Sequence, residues 1–205
     1  MSLEDVSEDA RAPVDLSATA VGVAFSAARG DKRATAELLA LVAPAVMRAV
    51  RMVLGAHGPE RDDVNQQAML NVVRSLASFR GDCHPAGWAA RIAVHTAWSA
   101  RRSAREARLS YHDPDDLAAL SSSPRASDGE LAAHRKHLLR DLLQQLPAEQ
   151  AEVLALHIVL GHSLPEVAAI TSTPLNTVKS RLRLAKELLR RRLTDGGPDE
   201  QAGGS

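Results

Sequence analysis

The chain is poor in aromatic side chains, with two Phe, two Trp and one Tyr among 205 residues. Set beside abundant Ala, Leu and Arg, that scarcity disfavours a β-sandwich or barrel, whose strands draw on aromatic and β-branched residues. A single cysteine, Cys83, excludes an internal disulfide and leaves no thiolate partner for a structural zinc site. Net charge is absent too, since 25 Lys and Arg balance 25 Asp and Glu. No long uncharged apolar run occurs, so no membrane-spanning helix and no membrane insertion are expected. The first twenty residues, MSLEDVSEDARAPVDLSATA, are acidic and polar where an export signal would be basic and then apolar, and the chain reads as cytoplasmic. No paired nucleophile and base and no Gly-rich phosphate loop stand out, so no catalytic residue, no metal and no cofactor are expected. His134 and His137 are three apart in a helical stretch, but no converging carboxylate or thiol accompanies them as a metal site requires. What is present, 45% hydrophobic and 24% charged residues, is a globular composition sufficient for one or two helical domains.

The neutrality is a cancellation between blocks. Residues 91–108 carry five Arg against one Glu, and residues 179–193 carry seven Lys and Arg against one Glu. Residues 1–20 and 109–130 each hold five acids against a single Arg. Two basic segments separated by an acidic stretch imply two contact surfaces for a polyanion, although a basic run near a helix C-terminus also complements the helix dipole.

Periodicity organises the chain into helices. After a disordered stretch 1–17, a helix runs from about Ala18 to Ala28 and breaks at Gly30-Asp31. A second carries Leu38, Leu41, Val42, Val46, Ala49, Val50, Val53 and Leu54 as one apolar stripe. Asp62 or Asp63 caps a third, whose Val64, Ala68, Val72 and Leu76 share a face and leave Asp63, Gln66, Gln67, Asn71 and Arg74 outside without a local partner. A loop over residues 79–85 leads into a helix from Ala86 to about Arg108, with Trp88, Ile92 and His95 on one side. Residues 18–108 thus form one helical domain and the Ser-, Asp- and Pro-rich 109–130 a flexible linker. Residues 131–193 form the second domain and 194–205 a disordered tail.

The second domain contains the most specific local pattern. Leu131 to Leu146 reads as helical, and after Pro147 a helix over Ala148 to Leu160 carries Val153, Leu156, His157 and Leu160. Ser163-Leu164-Pro165-Glu166 fits a capping box that starts a short helix ending at Ile170. Thr171-Ser172 makes a turn, and Thr173-Pro174 supplies an N-cap followed by proline at the first helical position. A long helix to about Leu193 follows, with Val178, Leu182, Ala185 and Leu189 in one arc and a polar, basic face opposite. Short helix, tight turn and basic helix make a helix-turn-helix, which offers the start of its second helix to a DNA major groove. That face holds Asn176, Thr177, Lys179, Ser180, Arg181, Arg183 and Lys186. Arg and Lys donate to guanine, Asn pairs with adenine, and Ser and Thr touch phosphates or base edges.

These residues resemble a known family. Leu146-Pro147, Gly161 to Ala168 and Asn176 to Leu182 are similar to region 4 of bacterial RNA polymerase sigma factors of the extracytoplasmic-function (ECF) group. Asp63 to Leu70 resembles region 2.2 of that group, and Phe79 to Asp82 with Trp88 to Ala93 resembles regions 2.3 to 2.4. The resemblance covers about residues 20–193 and implies a two-domain, all-α initiation subunit that is not an enzyme. Its implied partners are core RNA polymerase through the β and β′ subunits, promoter DNA, and an anti-sigma protein. It implies docking on the β′ clamp helices by Asp63, Gln66, Gln67, Asn71 and Arg74. It also implies capture of the −10 element, as an unstacked base and a held non-template strand, by Phe79, Arg80, Gly81, Asp82, Arg91, His95, Arg101 and Arg102. The helix-turn-helix face would then read the −35 element. Trp88 begins an apolar face and is expected in the core, not as a stacking platform.

The chain departs from the family pattern at three positions. His95 stands for a common Asn, Met69 for Phe and Asn176 for Gly. Met preserves apolar packing, whereas imidazole changes the donor and acceptor pattern at a position implied to face DNA. A response-regulator type of helix-turn-helix regulator is the competing reading. Residues 20–108 lack the alternating strands and helices and the acidic pocket that its receiver domain would need.

Overall fold

A computed structural model describes residues 18–55, 60–111 and 145–195. The expectations for 1–17, for 112–130, for the helix over 131–144 with its two histidines, and for 196–205 lie outside the described residues. Every regular element among the described residues is helical. The order is α1 (Ala18–Ala28), α2 (Lys32–Leu54), α3 (Glu60–Arg74), a 3₁₀ turn (Leu76–Ser78), α4 (Pro85–Tyr111), α5 (Ala148–Leu154) with a π turn (Ala155–Val159), α6 (Leu164–Thr171) and α7 (Leu175–Asp195). No described helix is long and apolar enough to cross a membrane.

Local chemistry sets the helix starts. The Asp31 carboxylate accepts from the Arg33 and Ala34 amides at 2.8 and 3.1 Å, capping α2. Leu38, Val42, Val46 and Val50 are completely buried, each contributing about 1.5–3 kcal/mol relative to exposure. Leu41 does not join them. It sits off the edge of that arc and is 42% exposed, a correction to the stripe expected from spacing. The third helix begins at Glu60, so Asp62 and Asp63 lie in its first turn, where they complement the helix dipole without capping it.

α4 packs more extensively on α2 than any other pair of helices does. Its inner face is built from Ala89, Ala90, Ala93, Val94 and Ala97, small residues that permit close approach. The helix continues to Tyr111, three residues beyond the expected Arg108. Phe79, Trp88 and Phe25 form an aromatic cluster, with ring centroids 5.2 Å apart for Phe79–Trp88 and 5.7 Å for Phe25–Phe79. Trp88 is therefore a core residue, as its place on an apolar face implied.

In the second domain the expected capping box is present. The Glu166 amide bonds to the Ser163 hydroxyl, and the Glu166 carboxylate accepts from the Ser163 amide at 2.7 Å. α6 ends on Ser172 in the left-handed conformation (φ 52°), and the chain turns into α7. Val167, Ile170, Val178, Leu182 and Ala185 close the core of the helix-turn-helix. The expected helix after Pro147 is α-helical only to Leu154. It widens into a π turn, in which the Leu160 amide reaches back to the Ala155 carbonyl and leaves Ile158 and Val159 exposed.

Candidate nucleic-acid interface

The first half of α7 projects a continuous polar surface. Val178 and Leu182 anchor one side in the core, so Asn176, Thr177, Lys179, Ser180, Arg183 and Lys186 are all exposed. Arg183 lies 3.7 Å from Glu187, which also binds Arg191 at 2.6 Å. Arg181 differs from its neighbours. Its guanidinium is half-buried, pairs with Glu149 and donates to the Thr173 hydroxyl at 3.4 Å, tying α7 to the start of α5. The Thr173 hydroxyl in turn donates to the Thr171 carbonyl.

The loop before α4 is shaped by Gly81, whose φ of +79° is strained for any other residue and whose Cβ would stand 2.9 Å from Phe25 Cζ. Of the residues assigned to the −10 element, Phe79 has its ring in the core, 6% exposed, and offers no face to a base. Arg80 is exposed, pairs with Asp82 at 2.8 Å and donates to the Ser172 hydroxyl of the second domain at 2.7 Å. Arg91 and His95 both reach one oxygen of Glu152, at 2.5 and 2.8 Å. Burial alone would raise the Glu152 carboxyl, but hydrogen bonds and charge from His95 and Arg91 outweigh it and hold the group below its ordinary 4.5. His95 also meets Trp98 edge-on, at 6.0 Å between ring centroids. Arg101 donates to the Val53 carbonyl at 2.9 Å, at the C-terminal end of α2, whereas Arg102 is exposed.

Between this loop and α6 lies a cavity of about 120 Å³, lined among others by Arg80, Cys83, Trp88, Arg91, Ile170 and Ser172. The Cys83 thiol is pushed up to about 11 by burial and by the Asp82 carboxylate, which leaves it almost wholly protonated at neutral pH.

On α3, Asp63, Gln66, Gln67 and Arg74 are exposed. The expectation that this ridge has no local partner needs correcting at two residues. Gln67 donates to Asn71 at 3.0 Å, and Asn71, half-buried, donates to Thr96 of α4 at 3.0 Å. A hydrogen bond across two packed helices is invisible to helical periodicity. Sequence reasoning also passed over Leu70 and Val73, which are 44% and 37% exposed on this surface, and over Glu152. The apolar pair was legible as residues off the Val64-Ala68-Val72 stripe. Glu152 carried no local signal.

An all-helical chain with a capped helix-turn-helix, a basic recognition face and a second helical domain is a DNA-binding protein of two-domain type. Comparison with known families defines it further. Residues 38–107 match the family model for sigma-70 region 2, and residues 136–189 match that for sigma-70, region 4. The RNA polymerase sigma-H factor of Pseudomonas aeruginosa is 31% identical over 175 residues, 78% of this chain and 86% of that protein. The ECF RNA polymerase sigma factor SigD of Mycobacterium tuberculosis is 29% identical, covering 85% of this chain and 84% of its own. The ECF sigma-E factor of Escherichia coli is 29% identical, with 78% and 87% covered. The solved structure of CnrH in complex with the cytosolic domain of CnrY shares the fold at a TM-score of 0.53 and 22% identity, over 87% of this chain and 99% of that one. The chain belongs to the ECF group of the sigma-70 family: it is a non-catalytic RNA polymerase sigma factor whose regions 2 and 4 bind promoter elements.

Proposed function

We propose that promoter reading is divided between two sets of side chains. Asn176, Thr177, Lys179, Ser180, Arg183 and Lys186 enter the −35 major groove, with Arg181 holding α7 at the correct angle. Arg80, Asp82, Arg91, His95 and Arg102 face the −10 strand, while Gly81 shapes the loop, Phe79 supports it from the core and Arg101 fixes the end of α2. The observation that supports this division best is the exposure of six polar residues on one surface of α7, directly after a capped α6. On α3, Asp63, Gln66, Gln67 and Arg74, with Leu70 and Val73 beside them, dock on the core polymerase β′ subunit, and Asn71 braces that helix. The protein works in the cytoplasm, where its polymerase is, and an anti-sigma protein restrains it. Reconstituting the holoenzyme and sequencing transcript 5′ ends tests the proposal. Start sites preceded by shared −10 and −35 elements are expected, and a start-site distribution equal to that of core enzyme alone would overturn it.

A further inference from the structure

We propose that Glu187 of α7 is a positioning residue that sets the selectivity of −35 reading, by holding Arg183 toward base edges and away from phosphates. This inference rests on the assignment of the α7 face to the −35 major groove. That face is polar and basic, and α7 holds only two acids, Glu187 and, at its last residue, Asp195. Glu187 lies about two and a half turns beyond the buried Val178, on the side of the helix opposite the core and in the middle of the surface that receives a polyanion. A carboxylate in that place lowers attraction to DNA of any sequence, so its contribution is to selectivity and not to affinity.

The two carboxylate oxygens are divided between two arginines. Oε1 accepts from Arg191 Nη2 at 2.6 Å, which fixes the carboxylate from the following turn, and Oε2 faces Arg183 Nη1 at 3.7 Å from the preceding one. The second distance is an ion pair too long for a hydrogen bond, so the charge steers Arg183 without occupying its donors. The Arg183 and Arg191 side chains are 70% and 72% exposed, so these pairs add little to folding and their effect falls on what the helix binds. Counted from Asn176, Arg183 lies about 10 Å along α7 and Glu187 about 16 Å. The major groove is about 12 Å wide, so when the start of α7 meets base edges Arg183 is still over bases while Glu187 stands at the phosphate wall. At the right base pair, two parallel hydrogen bonds from Arg183 to guanine outcompete the ion pair. At a wrong one the alternative partner of the guanidinium is a phosphate, and the carboxylate competes with it.

Holoenzyme binding to fluorescein-labelled promoter DNA, with the −35 element intact or scrambled, tests the proposal. Glu187→Gln keeps the size of the side chain and an oxygen for Arg191 but removes the charge. It is expected to bind the scrambled promoter about fivefold more tightly and the intact one as the parent does, a fivefold loss of selectivity. Its salt slope on scrambled DNA should steepen by about 0.9, the value for one added phosphate contact. In an Arg183→Ala background the same substitution should change neither affinity nor slope. Parental affinity of Glu187→Gln for scrambled DNA would overturn the proposal. A gain that persists in the Arg183→Ala background would overturn positioning, since the carboxylate would then act on the DNA directly. Arg183→Ala with the parental base preference at every −35 position would instead remove the assignment of Arg183 to the groove.

Discussion

His95 Nε2 stands 2.8 Å from Glu152 Oε1, and the two residues are fifty-seven positions apart on helices of different domains. The same oxygen receives Arg91 from the preceding turn of α4. A position where the family commonly has Asn thus carries, in this chain, a group that bonds the second domain.

The pH dependence follows from two groups that act in the same direction. Glu152 stays charged in the folded chain to lower pH than in the unfolded one, so its contribution is complete above about pH 5 and is lost as pH falls through its folded value. His162 is held below its ordinary 6.5, first by burial, which the Glu166 charge opposes and the Arg48 charge reinforces. As pH falls below that value the unfolded chain takes up the proton first, and stability declines. Urea midpoints should therefore fall from about pH 7.5 to about pH 5.5 in the parent chain and change less in His162→Leu. Below about pH 4.5 the parent should lose more stability than Glu152→Gln.

Two arginines two residues apart, on opposite sides of α7, should behave differently. Arg183→Ala is expected to relax preference at one −35 base pair by about 1–3 kcal/mol with an unchanged melting temperature. Arg181→Ala should instead lower stability by about 0.5–1 kcal/mol, since it breaks the link to Glu149 and Thr173. Footprinting on base-substituted −35 duplexes and thermal denaturation separate the two.

Phe79 and Gly81 support the loop through packing and backbone geometry. Phe79→Ala should cost about 3–5 kcal/mol of stability by emptying the cluster with Phe25 and Trp88. Gly81→Ala should cost about 1–3 kcal/mol through its positive φ and its approach to Phe25. Both are measured by chemical denaturation of the free chain, without DNA.

Leu70→Ser on α3 should weaken binding to core polymerase about tenfold or more while moving stability by no more than about 0.5 kcal/mol. Leu70 is already exposed in the free chain, so little packing is lost there. Competition for core enzyme against the labelled parent chain measures it.

Arg102→Ala should reduce the salt slope of promoter binding by about 0.7–0.9, the value for one phosphate contact. Arg101→Ala should instead lower the melting temperature and leave the salt slope unchanged, because its guanidinium caps the Val53 carbonyl. Titrations at several salt concentrations, paired with thermal scans, distinguish a strand contact from a cap.

Much of the fold was legible because its causes are local. The Ser163–Glu166 box, the break at Gly30, the burial of Val178, Leu182 and Ala185 and the core place of Trp88 all follow from residues within a few positions of one another. Leu41 and the π turn at Ala155–Val159 were not legible, since exposure at the edge of a stripe and one extra residue in a turn depend on what packs alongside. For the site, the exposed face of α7 could be read from sequence, but the sorting of its arginines could not. Arg181 and Arg183 look alike in a basic run, and only the position of Glu149 assigns one of them to packing.

The near-absence of aromatics, the cancelled charge and the two motif sets by themselves determined an all-helical, two-domain DNA-binding subunit. Helical periodicity and capping are interactions over three or four residues and are written directly in the order of the chain. The tertiary structure alone decided that Phe79 lies in the core, that Arg101 caps α2 and that Glu152 meets Arg91 and His95 across 61 and 57 residues. Such pairs are selected by the burial of one charge beside another, and that energy exists only once the helices have brought them together.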